Sequence, residues 1–478
     1  MPRRVSDEAF IDAALPTLER YATIPCLSPD FDADWAAHGT IEEAIGLLAD
    51  WARSVGLTGA SVEIRRIEGR TPLLAVDIPA TCGADGTVLI YGHLDKQPAL
   101  GEWSAGLAPF DPVRRGDRLY ARGVADDGYS LFAALLGLAS LEREGTGHAR
   151  CLVLIESCEE SGSPDLEAHL DALSDSFGRV DLLICLDSGA LTYDRLWVTT
   201  SLRGLVAVDL TIEVLDHGVH SGTAGGVVPS SFRILRELLD RIEHPKTGTV
   251  LLHELHAQIP DSQLAAAALV ANDLGDPAAY DLPIVDGLQV LGRDGADRLL
   301  RRTWEPCVTV PGISGIPDLD HASSLLRPST TARIGVRLPP TVDSELAARV
   351  IVDALTSDPP HGARVSATAI HADGWVAPEL TEWFRSALQT ASEEAFGHEP
   401  GFVGEGGSIP FLAALGRRFD GVQFLATGVL GPASNAHGPD ESLHLPTAAR
   451  MCDVVASVVQ QHAAWRTSSV ETNPKERS

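Results

Sequence analysis

Residues 87–98, TVLIYGHLDKQP, limit the possible folds more than any other part of the chain. Thr87 to Tyr91 are β-formers, and Val88, Leu89 and Ile90 at their centre show no polar alternation. A strand of this kind is buried on both faces, so other elements must cover it above and below. The run stops at Gly92, and His93 and Asp95 follow, two residues apart and on one side of an extended chain. A metal-ligating histidine usually has its second ring nitrogen held by a carboxylate, and this spacing lets Asp95 serve His93 in that way. Read alone, the same residues also describe a polar loop after a strand.

The flanking pattern decides the fold class. Residues 6–21 and 39–55 have helical periodicity, and 61–67, 73–78 and the segment ending at His93 read as strands. VADDG (124–128) opens a helix through YSLFAALLGLASLERE, and the strand-like CLVLIES and VDLLICLD follow with a short helix between them. Strands alternating with helices predict an α/β domain with a largely parallel sheet. Near Ser201 the pattern changes: LVAVDLTIEVLD alternates like a half-exposed strand, 230–242 is an amphipathic helix, and further strands and a helix follow to His371. These runs suit an α+β domain with an antiparallel sheet. Residues 245–328 are rich in Ala, Asp, Gly and Pro and give no readable pattern. The α/β character resumes near Leu380, and the polar tail after Thr467 is expected to be disordered. The expected architecture is an α/β catalytic domain, 1–202 and 374–478, split by an inserted α+β domain, 203–373.

Length and charge narrow the function. A chain of 478 residues exceeds one core, and a net charge of −29 argues against nucleic acid or an anionic membrane as the main partner. The seven cysteines are scattered without a C-x-x-C pair, which suits buried thiols in a reducing cytoplasm. The N-terminus turns acidic at once and lacks a signal-peptide core, and no apolar stretch reaches the ~18 residues of a membrane span. A cytoplasmic location is expected.

Acidic and histidine residues recur after the predicted strands: His93/Asp95, Asp126/Asp127, Glu159/Glu160, Asp187, and His437 after VQFLAT. Ligands gather at the carboxyl ends of strands in open α/β sheets, so these groups can share one edge. Oxygen and imidazole donors without thiolate suit zinc, manganese or cobalt, and five or six of them suggest two ions sharing a carboxylate. An Asp or Glu after a strand also serves as a helix cap, and a Glu pair as a solvated turn. Along an extended chain Glu159 and Glu160 point opposite ways, which would give one ligand and one general base.

YGHLDKQPA, RLYARGVADDG, ESCEESGS, CLDSG, HSGTAGG, VRLPP, GEGGSIP and NAHGPDES occur in this order. Together they resemble the M20 metallopeptidase family, nearest its carnosine-type cytosolic dipeptidase branch, from about residue 10 to 465. The resemblance implies a di-metal catalytic domain with an inserted lid and dimerisation domain. It implies that Asp126 bridges two metal ions, that His93 and Asp187 complete one position, and that Glu160 and His437 complete the other. Glu159 would be the general acid/base and Asp95 would orient His93. His220 would reach the active site of a partner subunit, Arg337 would hold the substrate carboxylate, as a planar guanidinium suits, and Ser408 would lie beside the site. Ser324 and His371 fall near further substrate-contacting positions. The resemblance also implies a cis peptide between Asp126 and Asp127.

Where the family pattern resembles DDKGP, this chain has Asp126-Asp127-Gly128-Tyr129-Ser130, without the lysine and proline. The lysine is not a metal ligand in that pattern, so the metal positions should survive while nearby pocket shape differs. The expected reaction is two-metal hydrolysis of an amide bond beside a free carboxylate in a dipeptide, by a homodimer formed through the inserted domain. An N-acyl-amino-acid amidohydrolase would use the same site without needing a free substrate amine, which Glu405 in GEGGSIP could hold in a dipeptide. A non-catalytic binding protein on the same fold is a further alternative.

Overall fold

The structure is a computed structural model that describes residues 3–278, 282–407, 410–419 and 421–472. The chain divides into two compact units. The first comprises Met1–Thr199, Ala377–Phe402 and Ala414–Ser478, the second Thr200–Val376 and Val403–Ala413.

The first unit is organised on a six-stranded sheet in the order Ser61–Arg65, Leu73–Ile78, Arg150–Glu156, Thr87–His93, Val180–Cys185, Gln423–Ala426. The last four strands run parallel, and the first two extend the sheet antiparallel. Every residue of Thr87–His93 is buried, as its uninterrupted apolar run requires. Helices Asp7–Ala22, Thr40–Val55, Ser130–Arg143, Glu382–Phe396 and Leu445–Thr472 contribute to one continuous core that includes Phe10, Leu48, Ile90, Phe132, Ile184 and Val455. Their ends follow local chemistry. Ser6 Oγ accepts the Ala9 amide at 3.1 Å at the start of the first helix, and Gly56, at φ 74°, ends the second.

The C-terminal helix continues to Thr472, past the point where the sequence implies a disordered tail. Arg466 ties it to the Asp85 carboxylate at 2.6 Å, and the Thr467 and Ser468 hydroxyls donate back to the Ala463 and Trp465 carbonyls at 2.8 Å. The polar composition is thus satisfied within the helix instead of breaking it.

The second unit carries a four-stranded antiparallel sheet in the order Cys307–Ser314, Ser329–Leu338, Gly204–Glu213, Arg364–Ala372. Gly204–Glu213 alternates between buried and half-buried residues, and its inward face packs with helices Ser231–Leu239 and Ser344–Thr356. Within 245–328 the structure contains helices Asp261–Leu274 and Gly295–Thr303 and the strand Cys307–Ser314. The first of these is alanine-rich with only Ala267 and Val270 buried, so no apolar stripe marks it in the sequence.

Val403–Ala413, assigned from sequence to the second catalytic segment, clusters with the second unit. Arg203 accounts for this. Its backbone amide donates to the Gly407 carbonyl at 3.1 Å and its Nε to the Gly406 carbonyl at 3.1 Å.

Candidate metal centre

The parallel strands of the first unit deliver their acidic and imidazole groups at their carboxyl ends. His93 closes its own strand and stands in register with Glu156, the last residue of the neighbouring strand. Glu159 and Glu160 follow that neighbour, Asp187 follows Val180–Cys185, and His437 follows Gln423–Ala426.

His93 and His437 meet on Asp126. His93 Nε2 lies 3.2 Å from Asp126 Oδ1, and His437 Nε2 lies 3.0 Å from Asp126 Oδ2. His437 Nε2 is also 3.2 Å from Glu160 Oε2, and His93 Nε2 is 3.8 Å from Asp187 Oδ2. Two ligand-sized groupings result, His93 with Glu159 and Asp187, and His93 with Asp126 and Glu160. The Asp126–Asp127 peptide bond is cis, as the resemblance implies.

Asp95 faces His93, as its spacing predicts, and has a second part as well. His93 Nδ1 pairs with the Asp95 main-chain carbonyl at 3.0 Å, and the nearer carboxylate oxygen is at 3.5 Å. The Asp95 carboxylate also accepts the amides of Glu159, at 3.1 Å to Oδ1, and Glu160, at 3.0 Å to Oδ2. Two successive amides converging on one carboxylate require a turn, so Glu159–Ser161 forms a single helical turn where an extended pair was expected. Gln97, in the same motif but given no role from sequence, donates to Glu160 Oε2 at 2.7 Å.

The electrostatics are those of a site built around cations. Among the described residues, no Lys or Arg forms an ion pair with Asp126, Glu159, Glu160 or Asp187. Burial and the Asp126 charge push the Asp187 carboxyl up to about 7, and burial with Asp187 pushes Glu159 well above the carboxylate range. Burial opposes protonation of His437, but hydrogen bonds to Asp126 and Glu160 outweigh it and raise the imidazole to about 11. The same bonds, with those of His93, hold Asp126 well below the usual range against the effect of burial. Among the described residues, the ion pairs of Asp126, Glu160 and Asp187 are with the imidazoles of His93 and His437. Oxygen and nitrogen donors in such excess, without thiolate, fit hard or borderline divalent ions.

The motif departure also has a structural account. A Cβ at Gly128 would lie 2.4 Å from the Gly123 carbonyl oxygen and 2.4 Å from Tyr21 Cε1, so no side chain fits there. Tyr21 fills that space, with its hydroxyl on the Leu94 carbonyl at 2.7 Å and the Lys96 ammonium 4.0 Å from its ring centroid. Lys96, fully buried, also donates to the carbonyls of Tyr21 and Ile24 at 2.9 and 2.8 Å, beside the end of helix Asp7–Ala22.

The remaining predicted residues lie in the second unit. His220 is exposed at the end of Val219–His220, where it pairs with Leu325, and its Nδ1 accepts the Gly222 amide at 3.1 Å. Arg337 is half-buried on Ser329–Leu338, opposite Leu205 and Cys307, and burial together with Arg203 lowers its pKa. Burial raises the Glu405 carboxyl, with Arg302 opposing. Ser324 is exposed and its carbonyl accepts the Ser221 amide at 2.8 Å, while His371 Nδ1 pairs with Ser344 Oγ at 3.0 Å. Ser408 lies outside the described residues.

A parallel-sheet unit with clustered carboxylates and imidazoles at its strand ends is the build of a metal-dependent hydrolase. The chain belongs to peptidase family M20/M25/M40, whose sequence profile matches residues 89–461, and is a metallopeptidase. It is 28% identical over 384 residues to a cysteinylglycine-S-conjugate dipeptidase of Corynebacterium striatum, covering 77% of this chain and 79% of that one. It is 26% identical over 415 residues to the Cys-Gly metallodipeptidase dug1 of Schizosaccharomyces pombe, covering 84% and 85%. The fold matches the crystal structure of human carnosine dipeptidase 1 with a TM-score of 0.78 at 18% identity, covering 96% of this chain and 97% of that one. No helix among the described residues is long and apolar enough to cross a membrane.

Proposed function

We propose that this metallopeptidase hydrolyses the amide bond of dipeptides with a free carboxylate, using two divalent ions. His93 and Asp187 would hold one ion, Glu160 and His437 the other, and Asp126 would be shared. Zinc suits the mixed imidazole and carboxylate donors, and manganese or cobalt would also be accepted. When bound, the ions supply Lewis-acid polarisation of the carbonyl and activation of water at neutral pH.

The protein's own residues do the rest. Glu159, held beside the cluster by the amide bonds to Asp95, takes a proton from the attacking water and returns it to the leaving amine. Its raised affinity for protons, from burial and neighbouring Asp187, suits that shuttle. Arg337 holds the substrate carboxylate, and Glu405 its amine. Ser408 of the GEGGSIP motif would also bind the substrate. His220 polarises the scissile carbonyl from the partner subunit of a homodimer formed through the inserted domain, 203–373, with 1–202 and 374–478 as the catalytic part. The protein would work in the cytoplasm.

The observation that carries this reading is Asp126 with an imidazole on each carboxylate oxygen, ringed by three further carboxylates. Relatives named as dipeptidases favour a dipeptide over an N-acyl-amino acid. The test is metal analysis with turnover on a panel of dipeptides and N-acyl-amino acids, with and without chelator. Two metal equivalents, chelator-sensitive turnover and preference for dipeptides are expected. Purified protein without divalent metal and indifferent to chelator would exclude the mechanism, and preference for acyl-amino acids would exclude the substrate.

A further inference from the structure

Arg122 and Glu441 form a buried ion pair at 2.8 Å, 1% and 0% exposed, behind the metal centre. Neither belongs to the groupings that could hold an ion, and the hydrolytic steps use neither. Their other bonds go to the main chain of the two loops that carry Asp126 and His437. Glu441 accepts the amides of Gly123 at 2.9 Å, Ala125 at 3.1 Å and Asp126 itself at 3.3 Å. Arg122 donates Nη2 to the carbonyls of His437 at 3.1 Å and Gly438 at 2.9 Å. Each residue therefore sits on one loop and grips the other: Arg122 belongs to the Asp126 loop, and Glu441 to the His437 loop.

The His437 loop needs such a grip. Ala433, Asn435, His437 and Asp440 have φ values of 58°, 49°, 63° and 60°, the left-handed region that residues with a Cβ disfavour. A chain in that conformation does not rest at one geometry unless its surroundings fix it. Four donors converging on one carboxylate, and a planar guanidinium with Nη1 on Glu441 and Nη2 on two carbonyls, supply the fixing.

We propose that the Arg122–Glu441 pair is a positioning device that sets the spacing of Asp126 and His437, and so the affinity of the Asp126/Glu160/His437 position for its ion. The inference rests on the two-ion reading above. Replacing Glu441 by glutamine leaves one acceptor oxygen where two served four donors, and turns an NH2 group toward the rest. The His93/Asp187 position shares Asp126 but takes its other two ligands from the ends of other strands, so it is disturbed less.

The test is titration of the metal-stripped full-length chain with Zn2+ against a chromophoric chelator, for wild type, Glu441→Gln and Arg122→Lys. Circular dichroism and turnover are followed alongside. Wild type should bind two equivalents. Glu441→Gln should keep its fold and one tight equivalent, with the other weakened about 10- to 100-fold, the range seen when groups supporting a metal ligand are lost. Turnover should return as Zn2+ is raised, with KM unchanged. If Glu441→Gln fails to fold, Arg122→Lys keeps the charge while losing the fork, and should show the same selective weakening. Two tight equivalents in the variants, or equal weakening of both, overturns the proposal alone. A single equivalent in wild type overturns the two-ion reading and the proposal with it.

Discussion

The hydroxyl of Tyr129 donates to the main-chain carbonyl of Leu186 at 2.5 Å, and Leu186 immediately precedes Asp187. The tyrosine stands where the family pattern has glycine, so this chain anchors the approach to Asp187 with a bond of its own. Tyr129→Phe keeps the ring and leaves that buried carbonyl without its donor. A loss of about 1–3 kcal/mol in urea unfolding is expected. An unchanged midpoint would show that the carbonyl has another partner.

Restoring the family lysine should fail. Gly128→Ala already drives a methyl into the Gly123 carbonyl and the Tyr21 ring, and overpacking of this kind costs about 1–3 kcal/mol. Gly128→Lys should be worse. Thermal unfolding checks both, and an undisturbed Gly128→Ala would mean that Tyr21 can swing aside.

Glu159→Gln preserves shape but cannot take a proton. Turnover should fall at least ~100-fold with both metal equivalents retained. Metal analysis beside steady-state kinetics reads the two effects separately, and near-normal turnover would assign the proton transfer to Glu160 or another group.

Asp95→Asn tests the carboxylate beneath the glutamate pair. An amide has one acceptor oxygen for the two amides of Glu159 and Glu160, so the turn should loosen at both. Turnover and metal affinity should fall together, by about 10- to 100-fold each. Loss of turnover at unchanged affinity would show that Glu160 is held without Asp95.

His220→Ala should lower turnover sharply without releasing metal. Co-expressed with Glu159→Gln, it should regain part of the activity, since a hybrid dimer pairs one intact glutamate with one intact histidine. Verified hybrid dimers without recovery would confine His220 to its own chain, or remove it from the reaction.

Much of the fold could be read from periodicity. Thr87–His93 carries an apolar run from Val88 to Tyr91 because both its faces are covered, and Gly204–Glu213 alternates because one face is. Asp261–Leu274 is unreadable because its run of alanines and only two buried residues erase the contrast between faces. His93 announced itself by its place at the end of a strand, and Asp126, Glu160, Asp187 and His437 by ordered motifs. Glu441 lay inside one of those motifs and still had no visible role, because its partners include main-chain amides that carry no side-chain signature. Asp95 is legible as a partner of His93, but its second task is not, for the same reason: its carboxylate also serves two backbone N–H groups.

Gln423–Ala426 lies beside Val180–Cys185 in the sheet, although the chain visits the whole second unit between them. During synthesis His93, Asp126, Glu159, Glu160 and Asp187 leave the ribosome long before His437 and Glu441. Bridging so long a detour adds little equilibrium cost, since closure entropy grows by only about 0.6 kcal/mol per doubling of length. Its effect is on timing. For that interval the nascent chain carries Arg122 without its carboxylate and Asp126 with one imidazole. Under the proposed ligand set, ion capture at the Asp126/Glu160/His437 position would belong to the closing stage of folding, and a chain stalled before that strand docks would carry an acidic basin with one wall missing.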